Sequence, residues 1–339
     1  MHRVRVVVIG AGAIGGVIAA YLAKGGVGVT LVCHDKNMAD TVQTLGIQIE
    51  GLRGAQRIKL NAVANIESLA GKYDFCLIVT KAYDLEDAAK RVLTFLDKDG
   101  LAVSVQNGMC LDILEKIVGK ERTAACIVSW SSTQVAPARL DFTGEGGFII
   151  GRSDGRCDDK IKALKALLDH VAPTVISRDI FRDIYAKLII NSGITCGGAI
   201  TGLTLGEMLK YKAAREFFIS LVEEDIAVAG AMGVWVPPFG GKLDYYRFLE
   251  GNSVFAHMRR HLLLLAIGFK YRRLTSSSLT ALRRGRKTEV AYLNGWICQK
   301  GRELGVPVPI NERVCRLTQE IENGARRIAP ENLAALRMK

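Results

Sequence analysis

The chain of 339 residues carries 46 Lys and Arg against 34 Asp and Glu, a net charge of +12, with 49% hydrophobic and 24% charged residues. That length predicts two domains of about 100–200 residues each, and the composition is that of a soluble globular protein with a sizeable core. None of its eight cysteines forms a Cys-x-x-Cys pair or a zinc-spaced Cys/His cluster, which predicts reduced thiols, a cytoplasmic setting and no metal.

The chain starts with Arg3 and Arg5 ahead of an apolar run to Ala23, which Gly10, Gly12, Gly15 and Gly16 interrupt. A secretory signal needs an unbroken apolar core of about 7–15 residues, so the glycines predict a strand, a tight turn and a helix instead. Val4–Ile9, Val27–Val32, Phe75–Val79, Leu101–Val105 and Thr123–Val128 all read as strands rich in Val and Ile. Continuous apolar strands of this kind belong to parallel sheets covered on both faces. Helical patterns at Gly12–Lys24, Asp84–Phe95 and Leu111–Val118 lie between them. The alternation predicts an α/β fold, an N-terminal Rossmann-type doubly wound parallel sheet. Further strands follow at Phe148–Ile150 and Thr174–Ile176, flanking a helix at Asp159–Leu168.

Near Ser177–Asp179 the pattern changes, and from Phe181 onward nearly everything reads as helix. Long amphipathic periods occupy Phe217–Met232, Arg286–Leu304 and Glu312–Gly324, broken by Pro237-Pro238 and by Val306–Pro309. This predicts a dinucleotide-binding domain over 1–178 and a C-terminal all-α domain over 179–339. The apolar run Leu262–Phe269 is far short of the roughly 20 residues that span a membrane, so no membrane partner is expected.

Gly10, Gly12, Ala13, Ile14 and Gly15 form a G-x-G-x-x-G turn between the first strand and the first helix. The first glycine permits the turn, the second lets backbone N–H groups approach a pyrophosphate, and the third lets the helix pack on the strand. The helix N-terminus adds unpaired donors and partial positive charge. After the second strand, Cys33-His34-Asp35-Lys36 mixes signals: His34 and Lys36 suit a 2′-phosphate, while Asp35 suits ribose hydroxyls. The residues alone leave NADP and NAD both open.

The chain resembles the ketopantoate reductases, the NADPH-dependent 2-dehydropantoate 2-reductase family. The glycine turn is joined by Thr80-Lys81-Ala82-Tyr83, Gln106-Asn107-Gly108-Met109, Lys187-Leu188-Ile189-Ile190-Asn191, Ser276-Ser277, Gly285-Arg286-Lys287-Thr288-Glu289 and Leu293-Asn294-Gly295. The resemblance implies a cleft between the domains and reduction of a small anionic 2-keto acid to a 2-hydroxy acid. It implies NADP(H) in preference to NAD(H), with Lys81 near the cofactor and Asn107 touching both cofactor and substrate. Lys187 would be the general acid, and Glu289 would hold a substrate hydroxyl and help orient the lysine. Asn107, Asn191 and Ser277 would line the substrate site, with Thr195 standing where the family has a second asparagine. His34 replaces the family's usual arginine, and Ala291 replaces an acidic residue two places after the glutamate. Thr195 also makes a sister reductase, acting on another keto acid or an imine, the alternative within the class. A dinucleotide-binding sensor without turnover is the alternative outside it.

Spacing alone puts Lys187 and Asn191 on one helix face, with Thr195 continuing the stripe. Read as part of a helix, Glu289 projects beside the apolar stripe of Tyr292, Leu293 and Trp296. Basic clusters at Arg259-Arg260-His261, Lys270–Arg273 and Arg283–Lys287 read as a solvated face, with no zinc-finger or RNP pattern to suggest a specific nucleic-acid partner. Homodimerisation is left open.

Overall fold

A computed structural model describes residues 4–241 and 243–336. Backbone contacts divide the chain into two compact units: residues 1–106 with 110–181, and 182–339 with Asn107–Met109.

The first unit is α/β. In chain order it runs β1 (Arg5–Ile9), α1 (Ala13–Lys24), β2 (Gly28–Val32), α2 (Lys36–Leu45), β3 (Ile47–Gly51), β4 (Gln56–Ile58), β5 (Asn61–Val63) and β6 (Tyr73–Ile78). It continues with α3 (Leu85–Val92), β7 (Leu96–Ser104), α4 (Leu111–Val118), β8 (Thr123–Val128), β9 (Ser131–Ala136), β10 (Arg139–Gly144), β11 (Phe148–Gly151), α5 (Asp159–Leu168) and β12 (Thr174–Ile176). Eight strands form one sheet in the order β12-β11-β8-β7-β6-β1-β2-β5. All neighbours pair in parallel except β8 with β11. This is the doubly wound sheet that the apolar runs predict: Val6, Val7 and Val8 of β1 are fully buried.

A second sheet, β4-β3-β10-β9, was not expected from the sequence. It packs on α1, where every residue from Gly15 to Leu22 is buried. A Cβ on Gly16 would lie 2.8 Å from Leu140 Cδ1 of β10, so glycine is what lets helix and sheet approach. Trp130 stacks on Phe142 at 5.4 Å and meets Phe148 edge-on at 5.7 Å.

Among the described residues the second unit is helical apart from one isolated bridge between Phe239 and Leu243. Most of α6 (Ile180–Thr201) belongs to it, followed by α7 (Leu205–Lys210), α8 (Lys212–Ala231), α9 (Tyr245–Leu249), α10 (Val254–Lys270), α11 (Ser277–Arg283), α12 (Asn294–Leu304) and α13 (Pro309–Glu322). One element departs from its sequence reading. Arg286–Leu304 is not one helix: a single 3₁₀ turn, Val290–Tyr292, precedes α12, and Leu293 between them has φ −107° and ψ −102°. Among the described residues no helix is long and apolar enough to cross a membrane.

Candidate active site

The glycine turn is a cradle built by sterics. Gly10 has φ +114°, and a Cβ on it would stand 2.9 Å from the carbonyl oxygen of Val79 at the end of β6. A Cβ on Gly15 would collide with the Gly10 carbonyl. Gly12 is different, since a Cβ there would meet nothing within 4 Å. It is the N-cap of α1, and no side chain caps that end. The first-turn N–H groups, Ala13 and Ile14 among them, therefore belong to a helix end with no competing side-chain acceptor. Beside the turn, Thr80 Oγ1 is buried with no hydrogen-bond partner among the described residues. Open space at Gly12, an uncapped helix end and an orphaned hydroxyl fit a pyrophosphate.

At the end of β2, Asp35 is already engaged. Its Oδ1 accepts from Met38 N at 2.7 Å as the N-cap of α2, and its Oδ2 lies 2.6 Å from His34 Nε2. Lys36 reaches Asp40 at 2.6 Å on an exposed helix face. Lys81 is half-buried and opens the short 3₁₀ turn Ala82–Asp84. The Gln106 carboxamide donates to Ile78 O at 2.8 Å and Thr80 O at 3.2 Å, and accepts from Ser104 Oγ at 2.6 Å. It ties the carboxyl ends of β6 and β7 together, where doubly wound sheets place their ligands.

Asn107 begins the three-residue segment that packs with the helical unit. Gly108 has φ +90°, and a Cβ on it would stand 2.4 Å from Tyr292 O, while Met109 N donates to that same carbonyl at 3.2 Å. Asn191 Nδ2 donates to Asn107 Oδ1 at 3.4 Å. On α6, Lys187 and Asn191 are half-buried and Thr195 is buried, all on one face as the spacing predicts.

Ser277 and Glu289 need adjusted descriptions. Ser277 is exposed on the first turn of α11, whereas its neighbour Ser276 is buried, caps Leu279 N at 3.0 Å and donates to Thr195 O at 2.5 Å. Glu289 does not stand seven residues up a helix from Trp296. It opens the 3₁₀ turn and is only 5% exposed, a buried carboxylate rather than a helix-edge residue. The adjacent Thr288 is fixed by Glu322, which accepts from its N at 2.6 Å and its Oγ1 at 2.7 Å.

Beneath the α6 face lies a network that the sequence reading missed. Asp225 of α8 is fully buried; its Oδ2 is 2.9 Å from Ser192 Oγ, and its Oδ1 accepts from Asn311 Nδ2 at 2.9 Å. Asn311 also donates to Glu224, and Asn294 donates to Asn311 at 2.9 Å. Tyr185 OH donates to the Asp225 carbonyl at 2.6 Å. Desolvation pushes the Asp225 carboxyl up to about 7, opposed by the Asn311 and Ser192 hydrogen bonds and assisted by the Glu224 charge. The signal was available: Asp225 falls at a core position of the stripe Phe218, Leu221, Val222, Val228 and Ala229, where a carboxylate must be paired. Nor is Arg260 a solvated base. It is buried, and its guanidinium donates to the carbonyls of Phe248, Leu249 and Gly251.

A Rossmann-type sheet bearing a glycine-rich turn, with a helical unit holding half-buried Lys and Asn and a buried Glu, is the architecture of a nicotinamide-dinucleotide-dependent oxidoreductase. The model of the family described as ketopantoate reductase PanE/ApbA matches residues 6–155, and that of its C-terminal domain matches residues 179–322. The chain belongs to the ketopantoate reductase family, whose members reduce a 2-keto acid with a nicotinamide dinucleotide. It is 27% identical to a 2-dehydropantoate 2-reductase of Archaeoglobus fulgidus, over 96% of this chain and all of that protein. The crystal structure of a PanE/ApbA family ketopantoate reductase from Ralstonia eutropha JMP134 superposes with a TM-score of 0.80 at 26% identity, covering 95% of this chain and 100% of that one. A D-mandelate dehydrogenase solved with NADH and anilino(oxo)acetate shares the fold, with a TM-score of 0.80 at 22% identity over 94% of this chain and 99% of that one.

Proposed function

We propose that the protein reduces a small anionic 2-keto acid, with 2-dehydropantoate the first candidate, using NADPH in preference to NADH. The dinucleotide, when bound, supplies the hydride that reaches the ketone carbon. Lys187 holds its ammonium against the ketone oxygen, stabilises the charge developing there and gives up one proton to it. The product is the 2-hydroxy acid, and the neutral lysine regains its proton from solvent. Glu289 accepts a hydrogen bond from the substrate's hydroxyl and favours the protonated lysine. Asn107, Asn191, Thr195 and Ser277 supply hydrogen bonds that orient the acid.

The observation that carries this reading is the buried carboxylate of Glu289, 5% exposed, in a unit whose α6 presents Lys187, Asn191 and Thr195 on one face. A buried carboxylate is retained where it has work to do, because desolvation disfavours its charge. NADPH is favoured by His34 and Lys36, the basic groups at that rim, which a 2′-phosphate would draw from their present carboxylate partners Asp35 and Asp40, while Asp35 also serves as the α2 cap. A net charge of +12 draws an anionic acid and a phosphate-rich cofactor alike. Eight free cysteines fit a reducing cytoplasmic setting.

The test is oxidation of NADPH and NADH against a panel of 2-keto acids, 2-dehydropantoate included. Turnover of a hydroxylated keto acid with NADPH supports the proposal. Turnover confined to aromatic or unbranched keto acids would move the chain to a sister reductase, and dinucleotide binding with no turnover on any of them would make it a sensor.

A further inference from the structure

Helices α12 and α13 pack side by side in the second unit, and the chain between them folds back to allow it. A Cβ on Gly301 of α12 would lie 2.7 Å from Val306 O and 2.9 Å from Val308 Cγ2, so the link returns along α12 before α13 begins. The two helices then meet in register. Asn294 donates to Asn311 at 2.9 Å, and one turn further along both helices Cys298 and Cys315 meet, Sγ to Sγ, at 4.0 Å. A disulfide holds its sulfurs at about 2.05 Å, so the pair must close by about 2 Å, within reach of rotation about the Cα–Cβ bonds and a small shift of the helices.

Access divides the pair. Cys315 is half-buried, while Cys298 is 5% exposed. Of the other six cysteines five are buried and Cys157 is exposed. The hydrogen bond with Cys315, and then burial, raise the Cys298 thiol above its ordinary range, so the first attack on an oxidant falls to Cys315. The contact also sits at a junction. Glu289 and the 3₁₀ turn after it lead directly into α12, while Glu322 of α13 accepts from Thr288 N at 2.6 Å and Oγ1 at 2.7 Å. The turn carrying Glu289 is therefore tied to α12 by the chain and to α13 by Glu322, and a bond from α12 to α13 closes the ring.

We propose that Cys298 and Cys315 are a peroxide-sensitive site, whose disulfide staples α12 to α13 and braces the turn carrying Glu289. The Cys315 thiolate attacks one oxygen of hydrogen peroxide, the O–O bond breaks, and the departing hydroxide takes up the proton that the thiol released, leaving a sulfenic acid. The Cys298 sulfur then attacks the Cys315 sulfur, the S–O bond breaks, and the second hydroxide leaves as water with the Cys298 proton. Two thiols are oxidised, one peroxide is reduced and two waters form. A dithiol reductant restores both thiols by exchange. Two cysteines that serve only as small apolar residues would do none of this.

The full chain in a Cys157→Ser background, treated with hydrogen peroxide and mapped by non-reducing peptide mass spectrometry, tests the site. A Cys298–Cys315 disulfide should appear, two hydrogens lighter than the thiols, and dithiothreitol should reverse it. The single variants should fail differently. In Cys298→Ala the Cys315 sulfenic acid has no thiol to meet and should proceed to sulfinic acid, whereas Cys315→Ser should leave Cys298 unoxidised. The bond closes a short loop, so the oxidised protein should melt about 5 °C higher. Amide hydrogen exchange over residues 288–293 should slow on the order of tenfold. Thiols that stay reduced, or that reach sulfinic acid without pairing, overturn the site. A disulfide that leaves exchange over 288–293 unchanged overturns the brace. None of these readouts needs turnover.

Discussion

The side-chain amide of Asn191 donates to the side-chain oxygen of Asn107 at 3.4 Å, joining residues 84 positions apart. At that length the bond is weak, since such bonds cluster near 2.9–3.0 Å, so a substrate oxygen competes with it easily. Asn191→Ala should therefore raise KM by about 10–100-fold, the worth of a hydrogen bond to a charged group, with a smaller change in kcat. Steady-state kinetics on the best keto acid checks this, and an unchanged KM would remove Asn191 from the substrate site.

Lys187 and Glu289 should fail in different ways. In the proposed mechanism the ammonium of Lys187 acts on charge that develops only toward the transition state, so Lys187→Ala should lower kcat by about 10²–10⁴-fold. Dinucleotide affinity, read by direct titration, should stay as in the wild type. Glu289→Gln keeps the buried shape and removes the charge, and should raise KM for a hydroxylated substrate more than for one lacking the hydroxyl. Near-normal turnover of Lys187→Ala would return that lysine to an ordinary helix position.

His34 should limit the cofactor preference. An imidazole lacks the fixed five-donor fork with which arginine grips a phosphate. His34→Arg should therefore increase the ratio of kcat/KM for NADPH over NADH. A wild type that prefers NADH, or a variant that shifts toward it, would point to ribose recognition at this rim.

Gly10 and Gly12 separate folding from binding. Gly10→Ala forces a Cβ to 2.9 Å from Val79 O at φ +114°, so it should lower both Tm and dinucleotide affinity. Gly12→Ala meets no atom within 4 Å, so Tm should stay near the wild type while the new methyl intrudes where the pyrophosphate must approach. Thermal melts beside a fluorescence titration decide it. Undiminished affinity in Gly12→Ala would show that the phosphates lie elsewhere.

Asp225 makes stability depend on pH. Ser192 Oγ has one proton and two acceptors at 2.9 Å, Ile189 O and Asp225 Oδ2. A proton on Asp225 resolves the conflict: the carboxyl donates to Ser192, and Ser192 donates to Ile189. Burial raises this carboxyl from 3.8 to about 7, so the folded state holds a proton that the unfolded state has released. Its contribution is full below about pH 4 and fades as pH rises toward 7, on the order of a few kcal/mol in all. Asp225→Asn keeps the shape without the titration, so the wild type should lose stability relative to it between pH 5 and 8. Denaturant melts at both pH values give the answer, and parallel curves for the two proteins would refute it.

The sequence foretold the main sheet and the glycine turn because continuous Val and Ile runs and a G-x-G-x-x-G have few other uses. It did not foretell the second sheet, although Ile47 and Ile49, and Leu140 and Phe142, alternate inward as a half-buried strand requires. Those strands are short, and β9 reads Ser-Ser-Thr-Gln-Val-Ala, with no apolar face to register. On α6 the stripe of Lys187, Asn191 and Thr195 was legible because helical spacing fixes it. The environment of Glu289 was not, since the apolar period from 286 to 304 runs unbroken while the backbone turns at Leu293.

Helix α1, whose amino end receives the phosphates in this reading, is held from both sides by β-structure, and Gly16 brings it against Leu140. A helix wedged in this way cannot tilt to meet its anion, so its donors are aimed before the anion arrives. Binding then orders little of the protein, and more of each hydrogen bond is retained as affinity. On the proposed reading, selectivity could drift at the His34 rim, where only the Asp35 cap of α2 ties the side chains to the fold, while the phosphate site stays anchored in the core. With anchor and discriminator on different elements, the proposed site could change its choice of dinucleotide without the scaffold being rebuilt.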